Sequence, residues 1–170
     1  MIIHCCTVRT VAEQMMKRID CDRELVAAGA LLHDIGRATD HSIMHANIGA
    51  EMVRKLSLPE EIENIVRKHT GAGLDDQDVK EMGLPPGDYM PRTVEEKIVA
   101  HSDNMVSDNI VVPHTHSVDK LMTKGAVRGA ERVDRLHLEL SKLYGEDLDV
   151  IVQIIGEHPR LVGPCGKEIR

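Results

Sequence analysis

The sequence predicts an all-α protein, a compact bundle of about seven helices. Three observations carry that prediction. Apolar residues recur three and four positions apart through most of the chain, which is the period of one helical face. The breaks between these stretches hold residues that stop or start helices, such as Gly71, Pro59 and Thr93. No stretch alternates apolar and polar residues for long enough to make a strand, and Val111-Val112 is too short a run to change that. The 170 residues fit one domain, residues 1–170, and 42% hydrophobic residues are enough for a core. With no Phe or Trp and two Tyr, that core is built from Leu, Ile, Val, Met and Ala, with nine Met to fill irregular gaps.

The first helix covers 3–19, with His4, Val8, Val11, Met15 and Ile19 on one stripe, so His4 lies on the buried face. Asp22 caps a second helix, 23–36, rich in Ala and Leu. After a polar loop at 37–41, a third helix runs from Ser42 to Leu56 and places His45 in its apolar row. Pro59 opens a fourth helix with Glu60 and Glu61 in its first turn. Its row is Ile62, Ile65, Val66 and His69. Residues 71–92 carry Pro85, Pro86, Pro91 and Tyr89 and read as a long loop with at most a short helix near Gln77–Met82.

Thr93 and Glu96 form a capping box for the fifth helix. His101 and Asp103 sit at opposite edges of its apolar side, and periodicity does not choose between them as ligands. Residues 110–116 form a break in which His114 and His116 read as solvated. A sixth helix, 118–143, is kinked near Gly125 and Gly129, and a seventh covers 148–155. Pro159, Gly163, Pro164 and Gly166 mark an irregular tail.

The chemistry centres on Leu31-Leu32-His33-Asp34-Ile35-Gly36-Arg37, where an apolar helix runs into adjacent His and Asp. Adjacent residues point roughly 100° apart on a helix. Both can still reach one cation at the helix flank, with donors suited to first-row divalent metals. The plainer reading is a helix end with a capping His and Gly36 at the C′ position. A single His in an apolar row, such as His45 or His69, is ordinarily a core residue bonded to backbone. Three inward-facing histidines beside a His-Asp pair point instead to a metal centre.

His33-Asp34-Ile35-Gly36 resembles the signature of the HD superfamily of metal-dependent phosphohydrolases, over about the first two thirds of the chain. The resemblance implies an HD-domain bundle with a metal-site core at 1–110 and a helical extension at 117–170. It implies that His4, His33, Asp34 and Asp103 hold one metal, Asp103 being chosen over His101. In members with two metals, His45 and His69 match the additional ligands and Asp34 bridges both ions. The cofactor is one or two divalent ions per chain, from among Mn, Fe, Ni, Co, Zn and Mg. The implied activity is hydrolysis of a phosphomonoester or phosphodiester, most plausibly of a nucleotide, through a metal-activated water. Asp34 and Arg37 are the candidate catalytic residues, and Arg37 contacts substrate phosphate in the implied scheme. The alternative for Arg37 is a surface charge near a helix C-terminus. Arg37, His41 and Tyr89 are the candidate substrate-binding residues, Tyr89 as a stacking partner for a base. Two rival functions use the same residues: a di-iron oxygenase, and a nucleotide-sensing module with little turnover.

A net charge of −7 argues against stable binding to nucleic-acid backbone. No apolar run is long enough to span a membrane, and no signal peptide is visible. Cys5, Cys6, Cys21 and Cys165 form no Cys-x-x-Cys pair and read as reduced thiols of a cytoplasmic protein. The expected partner is a small phosphorylated substrate, and the sixth helix is a candidate homo-oligomer surface.

Overall fold

A computed structural model describes residues 1–163 and 166–169. The chain is all-α, with nine helices among the described residues: α1 (Ile2–Met15), α2 (Arg23–Leu32), α3 (His45–Lys55), α4 (Glu60–Lys68), α5 (Asp76–Glu81), α6 (Val94–Asn104), α7 (His114–Thr123), α8 (Val127–Tyr144) and α9 (Val150–Ile155). A 3-10 turn, Ile35–Ala38, joins α2 to α3. Two two-residue antiparallel ladders were not expected: β1 (Val106–Ser107) with β2 (Ile110–Val111), and β3 (Leu161–Val162) with β4 (Glu168–Ile169). The first is the hairpin that turns the chain from α6 to α7. The tail is thus partly paired rather than irregular, while Pro164 and Cys165 lie outside the described residues.

The main core forms where α1, α6 and α8 meet. Val8, Val11, Ala12 and Met15 of α1 pack with Ile98 and Val99 of α6 and with Val133, Leu136 and Leu140 of α8. Val8, Val11 and Met15 belong to the apolar stripe visible in the sequence, and aliphatic and Met side chains fill the space without a Phe or Trp. A smaller core, Val53, Ile62 and Val66, joins α3 to α4. A buried ion pair, Lys68 Nζ to Glu96 Oε1 at 2.9 Å, ties the end of α4 to the start of α6. There Glu96 also closes the capping box with Thr93.

Three expectations need correction. The sixth helix is two helices: Gly125 takes φ +74°, and the Gly125 and Ala126 amides donate to Met122 and Leu121 carbonyls, closing α7 before α8 starts. His114 and His116 are not in a loop but in the first turn of α7, after Pro113. Gly36 is not a left-handed C′ residue. A Cβ there would lie 1.9 Å from the His45 carbonyl oxygen and 2.6 Å from the Gly49 nitrogen, so Gly36 is where the 3-10 turn touches α3.

Candidate metal centre

Four histidines and two aspartates converge from five segments. His4 comes from α1, His45 begins α3, His69 follows the last residue of α4, and Asp103 stands near the end of α6. His33 and Asp34 follow α2, because the helix ends at Leu32 and passes into the 3-10 turn. Helical spacing puts the histidines on inward faces, and burial confirms it: His33, His45 and His69 are at most 3% exposed.

The hydrogen bonds fix the tautomers. Each Nδ1 contacts a backbone carbonyl: His33 to Ala30 at 2.8 Å, His45 to Ser42 at 2.6 Å, His69 to Val66 at 2.7 Å and His4 to Asp108 at 2.6 Å. A carbonyl only accepts, so all four Nδ1 atoms donate, and in the neutral rings all four Nε2 atoms are bare. Those bare nitrogens face one another and the carboxylates. His4 and His33 Nε2 are 3.3 Å apart, His45 and His69 Nε2 are 3.1 Å apart, and His4 Nε2 is 3.0 Å from Asp103 Oδ1. Lone pairs aimed at lone pairs and at anions repel unless positive charge sits between them. Outer nitrogens tied to carbonyls and inner nitrogens left free make up the donor arrangement of a metal site.

Asp34 divides the cluster. Its Oδ2 lies 3.8 Å from His4 Nε2 and 3.7 Å from His33 Nε2. Its Oδ1 lies 3.3 Å from His45 Nε2 and 3.5 Å from His69 Nε2. The groups His4–His33–Asp34 and Asp34–His45–His69 are each close enough to hold an ion, and they share this carboxylate. Burial opposes ionisation of Asp34, but when the rings carry a proton on Nε2 as well, His45, His69 and the charge of His33 hold its carboxyl far below the usual range. Under the same condition His33 and His4 hold Asp103 down despite burial. The nearby Cys5 thiol is pushed up to about 12 by burial and by the charges of Asp34 and Asp103. It stays protonated and is a poor ligand.

The cluster opens on a cavity of about 600 Å³ lined by His4, Asp34, Asp103, Arg37 and His41, among others. Arg37 Nε donates to Asp34 Oδ1 at 2.7 Å, so its first contact is the centre itself and not solvent. Tyr89 is not at this cavity. It is 2% exposed, packed with Val79 and Leu84 under the 71–92 loop, and its hydroxyl donates to the Pro85 carbonyl at 3.0 Å. The stacking role expected for it has no support in this placement. In a chain without Phe or Trp, an isolated Tyr in a loop is more valuable as a core residue for that loop.

Sequence reasoning also missed a second histidine cluster. His101 of α6, His114 of α7 and His137 of α8 meet beside Asp147 and Asp149. His137 Nε2 is 3.2 Å from Asp147 Oδ1 and must donate, so its Nδ1 accepts from His101 Nε2 at 3.1 Å. His114 points Nδ1 at Asp149 and Nε2 at Asp134, 3.0 and 3.3 Å away. Burial opposes its charge, but these carboxylates raise its pKa overall. His101, buried beside His137 and His114, is depressed to about 3 and stays neutral. The His114 and His137 rings stack at 3.5 Å with 14° between planes, so no ion can lie in the plane of both. Of His114 and His116, both expected to be solvated, only His116 is exposed.

The family profile of the HD domain matches residues 1–108, the segment that supplies all six residues of the first cluster. This chain belongs to the HD domain family. This chain is 47% identical over 152 residues to a tRNA (cytidine(56)-2'-O)-methyltransferase of Picrophilus torridus. It is 40% identical over 151 residues to the protein of that name from Thermoplasma volcanium. Each alignment covers 89% of this chain and 45% of the relative, so the chain spans about half the length of these curated relatives. Among solved structures, the HD domain of the L. monocytogenes phosphodiesterase PgpH, in complex with cyclic-di-AMP, superposes with a TM-score of 0.54 at 19% identity. That match covers 85% of this chain and 92% of that one, and it places the all-α fold.

Proposed function

We propose that this HD domain is a metal-dependent phosphohydrolase that cleaves a phosphodiester or phosphomonoester of a nucleotide. The observation that carries the reading is the set of four Nδ1-tethered histidines whose bare Nε2 atoms surround Asp34 and Asp103 at the floor of a cavity. Two divalent ions held there, with Asp34 shared between them, would stabilise charge on phosphoryl oxygens and lower the pKa of a bound water. The chain's own residues do the rest. The carbonyl tethers keep the imidazoles from rotating. Arg37 lines the cavity with its Nε on Asp34, which directs its guanidinium toward a phosphate beside the centre. His41 lines the same mouth.

The phosphodiesterase among the fold neighbours agrees with this reading. The methyltransferase name belongs to relatives more than twice as long as the matched segment, and it describes those whole proteins. The test is phosphodiester cleavage: bis(p-nitrophenyl) phosphate with manganese-loaded protein, alongside oxygen uptake with iron-loaded protein. Turnover of the ester that disappears in Asp34→Ala supports the reading. Oxygen uptake without ester cleavage would replace it with oxygenase chemistry.

A further inference from the structure

Helix α7 lies outside the segment that supplies the metal cluster, yet it forms part of the cavity wall. Ser117, Lys120, Leu121 and Lys124 all line the cavity. Their spacing of three, four and seven residues makes them one face of the helix. That face is held in place from within: Ser117 Oγ donates to the Asn104 carbonyl at 2.7 Å, and Leu121 packs against the main core. Lys120 and Lys124 are therefore presented to the cavity by residues on their own stripe. Both are exposed. Lys68 and Lys97 pair with Glu96 and Glu139, whereas neither Lys120 nor Lys124 has an ion-pair partner among the described residues. Like charges one turn apart repel, and this chain carries seven more negative than positive charges, so these two cations stand out against their surroundings. Asp108 also lines the cavity without pairing with either lysine.

We infer that Lys120 and Lys124 form a second anion subsite, which selects substrates carrying a further phosphate beyond the one at the metal centre. The inference rests on the phosphohydrolase reading. No Tyr lines the cavity, and Lys120 and Lys124 bring charge to its wall. The substrate class is then a phosphodiester with at least one additional phosphate, such as a short 5′-phosphorylated oligonucleotide, in preference to a small singly charged ester.

The experiment compares three substrates on manganese-loaded protein: bis(p-nitrophenyl) phosphate, adenylyl-adenosine with one phosphate, and the same dinucleotide with a 5′-phosphate. Wild type should favour the 5′-phosphorylated dinucleotide over the other by about fivefold in kcat/KM, the scale of two exposed ion pairs. The preference should reside in KM and weaken as salt rises. Lys120→Gln/Lys124→Gln should abolish it with unchanged melting temperature, and Lys120→Arg/Lys124→Arg should retain it. Cleavage of all three substrates with no preference in wild type, or with a preference that survives the Gln pair, overturns the lysine subsite alone. Cleavage of none overturns the phosphohydrolase reading and the subsite together.

Discussion

The two histidine clusters are built from the same residue types and differ in where the ring protons go. In the first, every Nδ1–H points outward to a carbonyl and every Nε2 points inward, bare, at its neighbours. In the second, the ring nitrogens meet side chains: His101 donates to His137, His137 to Asp147 and His114 to Asp149, and His114 also faces Asp134. The first cluster turns ring lone pairs toward its centre, and the second sets the two ring nitrogens of His114 against carboxylates. A count of His and Asp within a few ångströms does not separate them, because His114, His137 and Asp149 also come within 4.8 Å of one another. The backbone partners of the outer nitrogens do separate them.

The largest expected contrast comes from Asp34, the carboxylate that faces both halves of the first cluster. Asp34→Ala should lower kcat by about a thousandfold or more, the scale of losing the electrostatic centre of a site. Metal content should fall with it while far-UV circular dichroism stays unchanged. Next, His45→Gln or His69→Gln should reduce bound metal from about two ions per chain to about one. His4, His33 and Asp103 would keep the other ion, and activity should drop more steeply than metal content. Equal metal content in wild type and both variants would reduce the first cluster to a single site.

Gly36→Ala probes what holds the first cluster together. A Cβ at Gly36 meets backbone of α3 beside His45, so α3 must shift. The expected cost is about 1–3 kcal/mol by thermal or urea unfolding, with weaker metal retention in the Asp34–His45–His69 half.

The smallest effect belongs to the second cluster and depends on pH. The carboxylates raise the His114 pKa above its ordinary value, so its contribution is fully present below about 6.5 and is lost as pH rises through the folded value. Burial opposes the Asp149 charge, but His114 holds its carboxyl low. That contribution is present above about 3.9 and lost as pH falls through the folded value. His114→Gln should therefore destabilise by about 1–2 kcal/mol near pH 5–6 and by less at pH 8.5, measured by urea unfolding at each pH. A pH-independent loss would mean that His114 acts through packing alone.

The bundle and the first cluster were legible because their signals are local. His4, His45 and His69 sit on apolar stripes beside the adjacent His33-Asp34 pair, and stripe position predicts which way a helical side chain points, whereas Asp103 was indicated only by the family resemblance. His101 and Asp103 were not separable this way. They are two residues apart on α6 and serve different clusters, a choice made by α1 on one side and by α7 and α8 on the other. The second cluster depends on pairing His114 with Asp149, 35 residues onward, which no periodicity encodes. The break at Gly125 was readable only as a kink, since a Gly within an apolar stripe does not announce a positive φ. Tyr89 was misplaced because an aromatic residue in a loop signals a ligand and a local core equally well.

The central claim is that the first cluster holds metal and the second holds protons, and metal per chain tests it most directly. Wild type, Asp34→Ala and His114→Gln would be purified, loaded with excess manganese, desalted and measured by elemental analysis. The expected result is about two ions in wild type, a large loss in Asp34→Ala, and an unchanged value in His114→Gln, following the division of roles in a two-metal site. Metal that persists in Asp34→Ala, or that falls in His114→Gln, would contradict the account.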